Sequence, residues 1–167
     1  MLLKVVRSFA EGPADQDDLQ ADTPDSLREY LSRAQDCDLL VTSAGISVGE
    51  HDYIRAVLDE LGARHRFWKL RMRPGAPVGF GLLGEVPWIG LPGNPVSTMV
   101  TYELFVRPAI RKMMGHSQPF RRSVPVIMAE PISLRPRLQH FLRGVVTEGP
   151  KGPEARLTGP QGSGILT

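Results

Sequence analysis

The stretch that decides the fold runs from Leu39 to Tyr53 and reads LLVTSAGISVGEHDY. Its first residues are apolar and do not alternate with polar ones. This pattern is typical of a strand covered on both faces, as in a parallel sheet. Small residues and hydroxyl groups follow, and then a helix begins. The apolar residues of that helix recur at helical spacing, at Ile54, Val57, Leu58 and Leu61. The stretch therefore predicts a strand, a loop and a helix of an α/β domain.

The same stretch also permits a catalytic interpretation. Residues 45–49, G-I-S-V-G, match the G-x-S-x-G signature of serine hydrolases, which would make Ser47 the nucleophile. Charged residues at positions 50–52 stand where such a turn usually continues with small residues. The three later histidines occupy no recognisable catalytic loop. These features disfavour a hydrolase.

An anion-binding loop is the second interpretation. Hydroxyl groups and open backbone N–H groups at a strand end, beside the positive end of a helix, can hold a phosphate or a similar oxyanion. Asp52 would repel a bare phosphate unless it binds Mg²⁺, which prefers oxygen ligands. A plain strand-to-helix turn is the remaining alternative. We call this anion-binding loop the cradle and assign to it Ser43, Gly45, Ser47 and Gly49.

Two further segments favour oxyanion binding. In FWKLRMRPGAP, residues 67–77, a continuing strand would place Lys69, Arg71 and Arg73 on one face. A charged edge strand is the alternative. In GLPGNPVS, residues 90–97, a buried strand runs into a stiff loop and then a helix. The asparagine would cap this helix and the following proline would take its first position. The binding residues assigned to this loop are Pro92, Gly93, Asn94, Pro95 and Ser97. We expect Pro108 to kink or split the helix and Gly115 to end it.

Composition narrows the class of protein. Hydrophobic residues make up 41% of the 167 residues and charged residues 23%, and the formal net charge is +2. This charge gives no argument for nucleic-acid binding. The single cysteine, Cys37, cannot form an internal disulfide, so we expect a reducing, cytoplasmic setting. No apolar run approaches the roughly 20 residues of a membrane span.

The chain changes character after Gly115. Before it, strands and amphipathic helices alternate, beginning with a strand at residues 2–7. After it, short β-like runs lie between proline- and glycine-rich turns. We therefore predict an α/β domain over residues 1–117 and a small β domain over residues 118–167.

These segments, with RLQHFLRG at 137–144 and GPQGSG at 159–164, resemble consecutive motifs of the molybdopterin molybdenumtransferases. This is the MoeA family, which includes the gephyrin E domain, and the resemblance spans roughly residues 20–167. It implies a three-layer, MogA-like, mostly parallel sheet, incomplete because the family's first strand and helix are missing. It also implies a small, truncated β-barrel-like domain at the end.

The resemblance implies a reaction in molybdenum cofactor biosynthesis. Molybdate enters adenylylated molybdopterin with the help of Mg²⁺, and AMP leaves. Asp52 matches the acid needed for adenylate cleavage and would bind the metal, and Asp22 matches an acid before a helix. Lys69 matches a family lysine, and Arg73 stands where family members often have a second lysine. Two residues match those thought to help hold molybdate, namely Arg143 and Ser163.

Some implications stay open at this point. Family members are much longer and form dimers with composite active sites, so we expect a homodimer or the missing N-terminal portion as partner. Ala76 replaces a frequent lysine, and Ala44 a frequent glycine. We expect the isolated chain not to make the cofactor, and whether it is an enzyme alone is left open. A non-catalytic pterin-binding or scaffold fragment is the alternative. The LPGNP loop disfavours a pterin-adenylylating protein.

Overall fold

A computed structural model of the chain describes residues 2–6, 19–20, 23–33, 37–43 and 53–162. The helices are α1 (Pro24–Arg33), α2 (Tyr53–Glu60), α3 (Pro95–Thr101) and α4 (Arg107–Met113), with a π-helix at Tyr102–Val106. The first strands are β1 (Leu2–Val6), β2 (Leu19–Gln20), β3 (Leu39–Ser43), β4 (Arg64–Phe67), β5 (Met72–Arg73), β6 (Gly79–Leu83) and β7 (Val86–Leu91). Later strands are β8 (Ile127–Met128), β9 (Gln139–His140), β10 (Gly144–Gly149) and β11 (Gly152–Leu157).

The main sheet is mixed. Its strand order is β2-β1-β3-β7-β6-β4, and β3 and β7 run parallel. The other neighbours in this sheet are antiparallel. The prediction of a mostly parallel sheet is therefore wrong for the described strands. One physical reason is the predicted hairpin, which is confirmed: the two-residue turn Gly84–Glu85, with φ of +61° at the glycine, reverses the chain between β6 and β7.

Helices pack against the sheet strands in two buried clusters that meet at β3. Leu40 in β3 belongs to a buried cluster with Leu27 of α1 and Ile54 of α2. Its neighbour Leu39 belongs to a second cluster with Val106 of the π-helix. Side chains of adjacent strand residues point to opposite faces, so the unalternating apolar run in β3 fills both clusters. The α/β class is confirmed, while the MogA-like three-layer detail stays a prediction.

Local signals set the helix starts. The N–H of Ser26 donates to Oγ1 of Thr23 at 3.2 Å, which satisfies an orphan donor in the first turn of α1. The N–H of Ser97 donates to Oδ1 of Asn94 at 3.5 Å, and Pro95 takes the first position of α3. Both predicted caps are confirmed.

The long predicted helix changes geometry ahead of Pro108. Proline has no N–H and its ring clashes with the carbonyl four residues earlier in an α-helix. The preceding turn widens into the π-helix, where the N–H of Arg107 donates to the carbonyl of Tyr102. The helix resumes as α4 and ends before Gly115, whose φ is +80°. The predicted disruption and stop are both confirmed.

The chain after residue 116 forms a smaller sheet. Its strand order is β10-β11-β8, with an antiparallel pair and then a parallel pair. Within the described residues beyond 116, Ala155 is the one that is buried. These three strands do not show a barrel-like closure, and the domain limits at 117 and 118 stay a prediction.

The α-helices and the π-helix within the described ranges are too short and too polar to cross a membrane.

Candidate functional site

The carboxyl ends of β3 and β7 lie side by side. Ser43, the last residue of β3, pairs with Leu91, the last residue of β7. Ligands of α/β sheets bind beyond such carboxyl ends. Ser43 is half-buried there and leads into the predicted cradle. Several predicted site residues lie outside the described residues, namely Asp22, Gly45, Ser47, Gly49, Asp52 and Ser163.

A cleft of about 300 Å³ joins the two proline-rich segments. We call it the proline cleft. Its lining combines the loop after β5, the loop after β7 and a residue near the end of the chain. The residues are Met72, Arg73, Pro74, Gly75, Ala76, Pro77, Pro92, Gly93, Asn94, Ser97 and Gln161. Of the residues predicted in the second loop, Pro95 is exposed and does not line the cleft.

Both walls of the proline cleft are held in place by hydrogen bonds. The N–H of Leu70 donates to the carbonyl of Ala76 at 3.0 Å and closes the first loop. In the second loop, Oγ1 of Thr98 donates to the carbonyl of Asn94 at 2.8 Å and to that of Pro92. A cleft with fixed walls loses little conformational entropy when a ligand binds.

The cations of the 67–77 segment lie together although the strand does not continue. β4 ends at Phe67, and the next strand, β5, contains two residues. The predicted continuous strand is therefore wrong, because the closed loop bends the chain and β5 pairs with β9 instead of β4. Lys69, Arg71 and Arg73 are nevertheless all exposed and line one depression.

Gln161 is a wall residue that the sequence did not single out. Its Oε1 accepts from the N–H of Arg143 at 2.8 Å, and its Nε2 donates to the carbonyls of Arg143 and Gly159 at 3.2 and 2.9 Å. The Arg143 guanidinium in turn donates to the carbonyls of Pro160 at 2.8 Å and Gly162 at 3.2 Å. Arg143 does not line the proline cleft but is linked to it through Gln161. Gln161 lies in the GPQGSG motif, which is the signal that could have found it, but only the folded chain shows that its amide lines the cleft.

The predicted metal site lies outside the described residues. Where the structure describes the chain, it brings no three His, Cys, Asp or Glu side chains together in a group that could hold a metal ion. Asp52, the residue predicted to bind Mg²⁺, lies outside that set. The carboxylate is of the type that Mg²⁺ takes, together with phosphate oxygens.

Comparison with known proteins identifies the family. A family model described as a probable molybdopterin binding domain matches residues 10–112. The chain belongs to this family. The match includes both loops of the proline cleft, whereas Gln161 and Arg143 lie beyond it. This molybdopterin-binding domain thus carries most of the cleft on its own.

Relatives of the molybdopterin-binding domain are longer proteins. Molybdopterin molybdenumtransferase of Haemophilus influenzae is 43% identical over 91 residues, which are 54% of this chain and 22% of that protein. Molybdopterin molybdenumtransferase 2 of Mycobacterium tuberculosis is 34% identical over 118 residues, 68% of this chain and 29% of that protein. The molybdenum cofactor synthesis protein cinnamon of Drosophila melanogaster is 40% identical over 93 residues, 56% of this chain and 15% of that protein. The chain therefore spans less than a third of these relatives, and the predicted resemblance is confirmed.

Proposed function

We propose that this domain acts in molybdenum cofactor biosynthesis, within a longer or oligomeric molybdenumtransferase. The reaction is the insertion of molybdate into adenylylated molybdopterin, with release of AMP. The observation that carries the proposal is the proline cleft, which lies between the two loops and beside a row of cations. The names of the relatives and the matching family model support the same function.

Under this proposal, different residues of the cleft and its surroundings bind different parts of the substrates. The cradle after Ser43 and the loop from Pro92 to Asn94 would hold the pterin and its phosphates. Lys69 and Arg73 would offset the negative charge of the phosphates, because exposed ammonium and guanidinium groups attract oxyanions. Molybdate would lie towards Arg143 and Ser163. Mg²⁺ bound by Asp52 would neutralise phosphate charge.

The proposal extends to assembly and location. We propose a homodimer in the cytoplasm, as the sequence predicts, with pterin and molybdate as small-molecule partners. The share of the relatives that this chain spans, 22% and 29%, supports an activity that needs further protein.

Equilibrium binding of adenylylated molybdopterin to the purified chain tests the proposal. We expect binding without molybdate-dependent AMP release. Arg73→Gln should weaken binding about tenfold, because it removes a charge-assisted contact with the ligand. Arg122→Gln is the matched control, since Arg122 is exposed and lines none of the clefts described.

Absence of binding by the folded chain would overturn the proposed function. Robust AMP release by the chain alone would instead show that the whole activity resides in it. Binding without release, even when the chain is part of the complete protein, would favour the alternative of a non-catalytic pterin-binding or scaffold domain.

A further inference from the structure

We infer that Arg135, from the C-terminal part of the chain, completes an oxyanion-binding site with three cations of the α/β part. The site is a depression of about 520 Å³. We call it the cationic depression. Its lining is Lys69, Leu70, Arg71, Met72, Arg73, Ala76, Arg135 and Leu138. The inference rests on the proposed function for the identity of the natural ligand, and it adds a residue that neither the motifs nor the relatives assign.

Backbone hydrogen bonds fix Arg135 beside the other cations. The N–H groups of Gln139 and Phe141 donate to the carbonyls of Arg71 and Arg73, each at 2.9 Å. These bonds belong to the parallel pairing of β5 with β9, in which Arg73 lies opposite His140. The two segments are therefore held in register.

His140 then holds the Arg135 backbone. Its Nε2 lies 2.9 Å from the Arg135 carbonyl oxygen. A carbonyl oxygen only accepts, so Nε2 carries the hydrogen in this contact. The segment from Arg135 to His140 is thereby closed into a turn next to Arg73. The fold therefore fixes the backbone position from which the exposed Arg135 side chain reaches the depression.

The four cations of the depression have no described carboxylate as ion-pair partner. Other arginines in the described ranges do pair with acids, as in Arg28 with Glu60, Arg33 with Glu29, Arg64 with Glu85 and Arg121 with Glu103. Glu130 lines a neighbouring cleft together with Arg73 and Arg135, but it does not line the depression. Unpaired like charges held together repel one another and attract a multivalent anion.

Apolar residues of the depression strengthen this attraction. Met72 is buried, Leu70 and Leu138 are half-buried, and all three line the depression together with the cations. Apolar groups beside a charge lower the local dielectric and raise its interaction energy with a ligand. The three guanidinium groups present planar forks that match the oxygens of phosphate-like anions. The ligand class is therefore an oxyanion with at least two negative charges, either the diphosphate of the adenylylated pterin or molybdate.

Isothermal titration of the purified chain tests the site, with inorganic pyrophosphate and sodium molybdate as separate probes at low ionic strength. Arg135→Gln should weaken binding of the preferred probe about tenfold, the effect of losing one charge-assisted contact. Arg122→Gln removes the same charge elsewhere and should change binding less than about twofold. The probe that binds more tightly identifies the source of the oxyanion.

A second variant separates charge from structure. Ala76 lines the same depression and is half-buried, so Ala76→Lys can return a cation to it. Adding this change to Arg135→Gln should recover most of the lost affinity. Circular dichroism checks that every variant is folded.

Two results would overturn the inference. One is equal binding by the Arg135→Gln and Arg122→Gln chains with both probes. The other is failure of the added lysine to restore affinity in a folded variant. Both leave the proposed function intact if adenylylated molybdopterin still binds and Arg73→Gln still weakens it.

Discussion

Gly75 lies in the wall of the proline cleft at a position where a side chain does not fit. Its φ is +94°, and a Cβ added there would lie 2.6 Å from Cγ2 of Thr101. Alanine would therefore suffer both an unfavourable backbone conformation and a collision with a buried side chain. We predict that Gly75→Ala lowers the free energy of unfolding by about 3 kcal/mol, measured by urea denaturation.

Gly62 supplies the control for this prediction. It also has a positive φ, +78°, but a Cβ there would meet no atom within 4 Å. Gly62→Ala should cost about 1 kcal/mol, the backbone contribution alone. Equal losses in the two variants would show that the contact with Thr101 carries no energy.

Thr42 of β3, the strand that leads to the cradle, and Trp88 of the neighbouring β7 form a buried polar pair. The Trp88 Nε1–H donates to Oγ1 of Thr42 at 3.3 Å, and both residues are 0% exposed. Thr42→Val keeps the shape but leaves the indole N–H without its acceptor, so we predict a loss of about 2 kcal/mol in unfolding free energy. In a Trp88→Phe background the same substitution should cost much less. Identical costs in both backgrounds would contradict the pairing.

At the scale of elements, an ion pair fastens the π-helix to the segment that follows α4. Arg121 donates to both carboxylate oxygens of Glu103, with Nε at 2.7 Å and an NH2 nitrogen at 3.0 Å. This hydrogen bonding lowers the pKa of Glu103 from its ordinary value of 4.5. The pair therefore stabilises the fold above pH 4.5 and loses this contribution as pH falls through the lower, folded-state pKa.

Urea unfolding between pH 7 and pH 3 measures this dependence. Glu103→Gln should be less stable than wild type at pH 7, by at most about 1 kcal/mol because solvent screens the half-exposed pair. The difference should shrink as the pH falls below 4.5, because Glu103 then takes up a proton and loses its charge. Glu148→Gln, an exposed glutamate in no described ion pair, should show no such trend. A difference that does not change with pH would assign the effect to packing instead of charge.

Elements whose signals are local could be predicted from the sequence. The caps at Thr23 and Asn94, the turn at Gly84 and the disruption before Pro108 each depend on a few neighbouring residues. The continuous strand predicted in the 67–77 segment is wrong because the end of β4 depends on a distant partner, β9, which pairs with β5. Alternation of side chains indicates which residues share a face, but it does not reveal where a strand stops.

At the scale of the whole molecule, the site was only partly predictable for the same reason. The two proline-rich loops could be assigned because each follows a strand in the sequence. Gln161 and Arg135 reach the proline cleft and the cationic depression only after the C-terminal part folds against the α/β part. Arg135 belongs to none of the quoted motifs, and Gln161 lies in the GPQGSG motif, which does not show what its amide contacts. A contact between distant segments leaves no periodic pattern.

The two parts of the molecule differ in how much apolar surface they bury. The sheet strands β3 and β7 are almost wholly buried, whereas Val145 and Val146 in β10 are 56% and 54% exposed. Because burial of apolar surface supplies most folding energy, the C-terminal sheet should open while the main sheet stays folded. We predict that the opening reaction that lets the amides of β10 and β11 exchange hydrogen has a lower free energy than the one for β3 and β7. The difference should be at least about 2 kcal/mol.

Native-state hydrogen exchange at increasing urea measures both free energies on the purified chain. The amides of Gln139 and Phe141 are the informative ones, because they donate to Arg71 and Arg73 across the junction of the two parts. Their opening free energy should equal that of β10 and β11, since opening of the C-terminal part breaks these bonds. A saturating oxyanion in the cationic depression should raise their protection and leave β3 unchanged. A single free energy for all four strands would show one cooperative unit and contradict this division of stability.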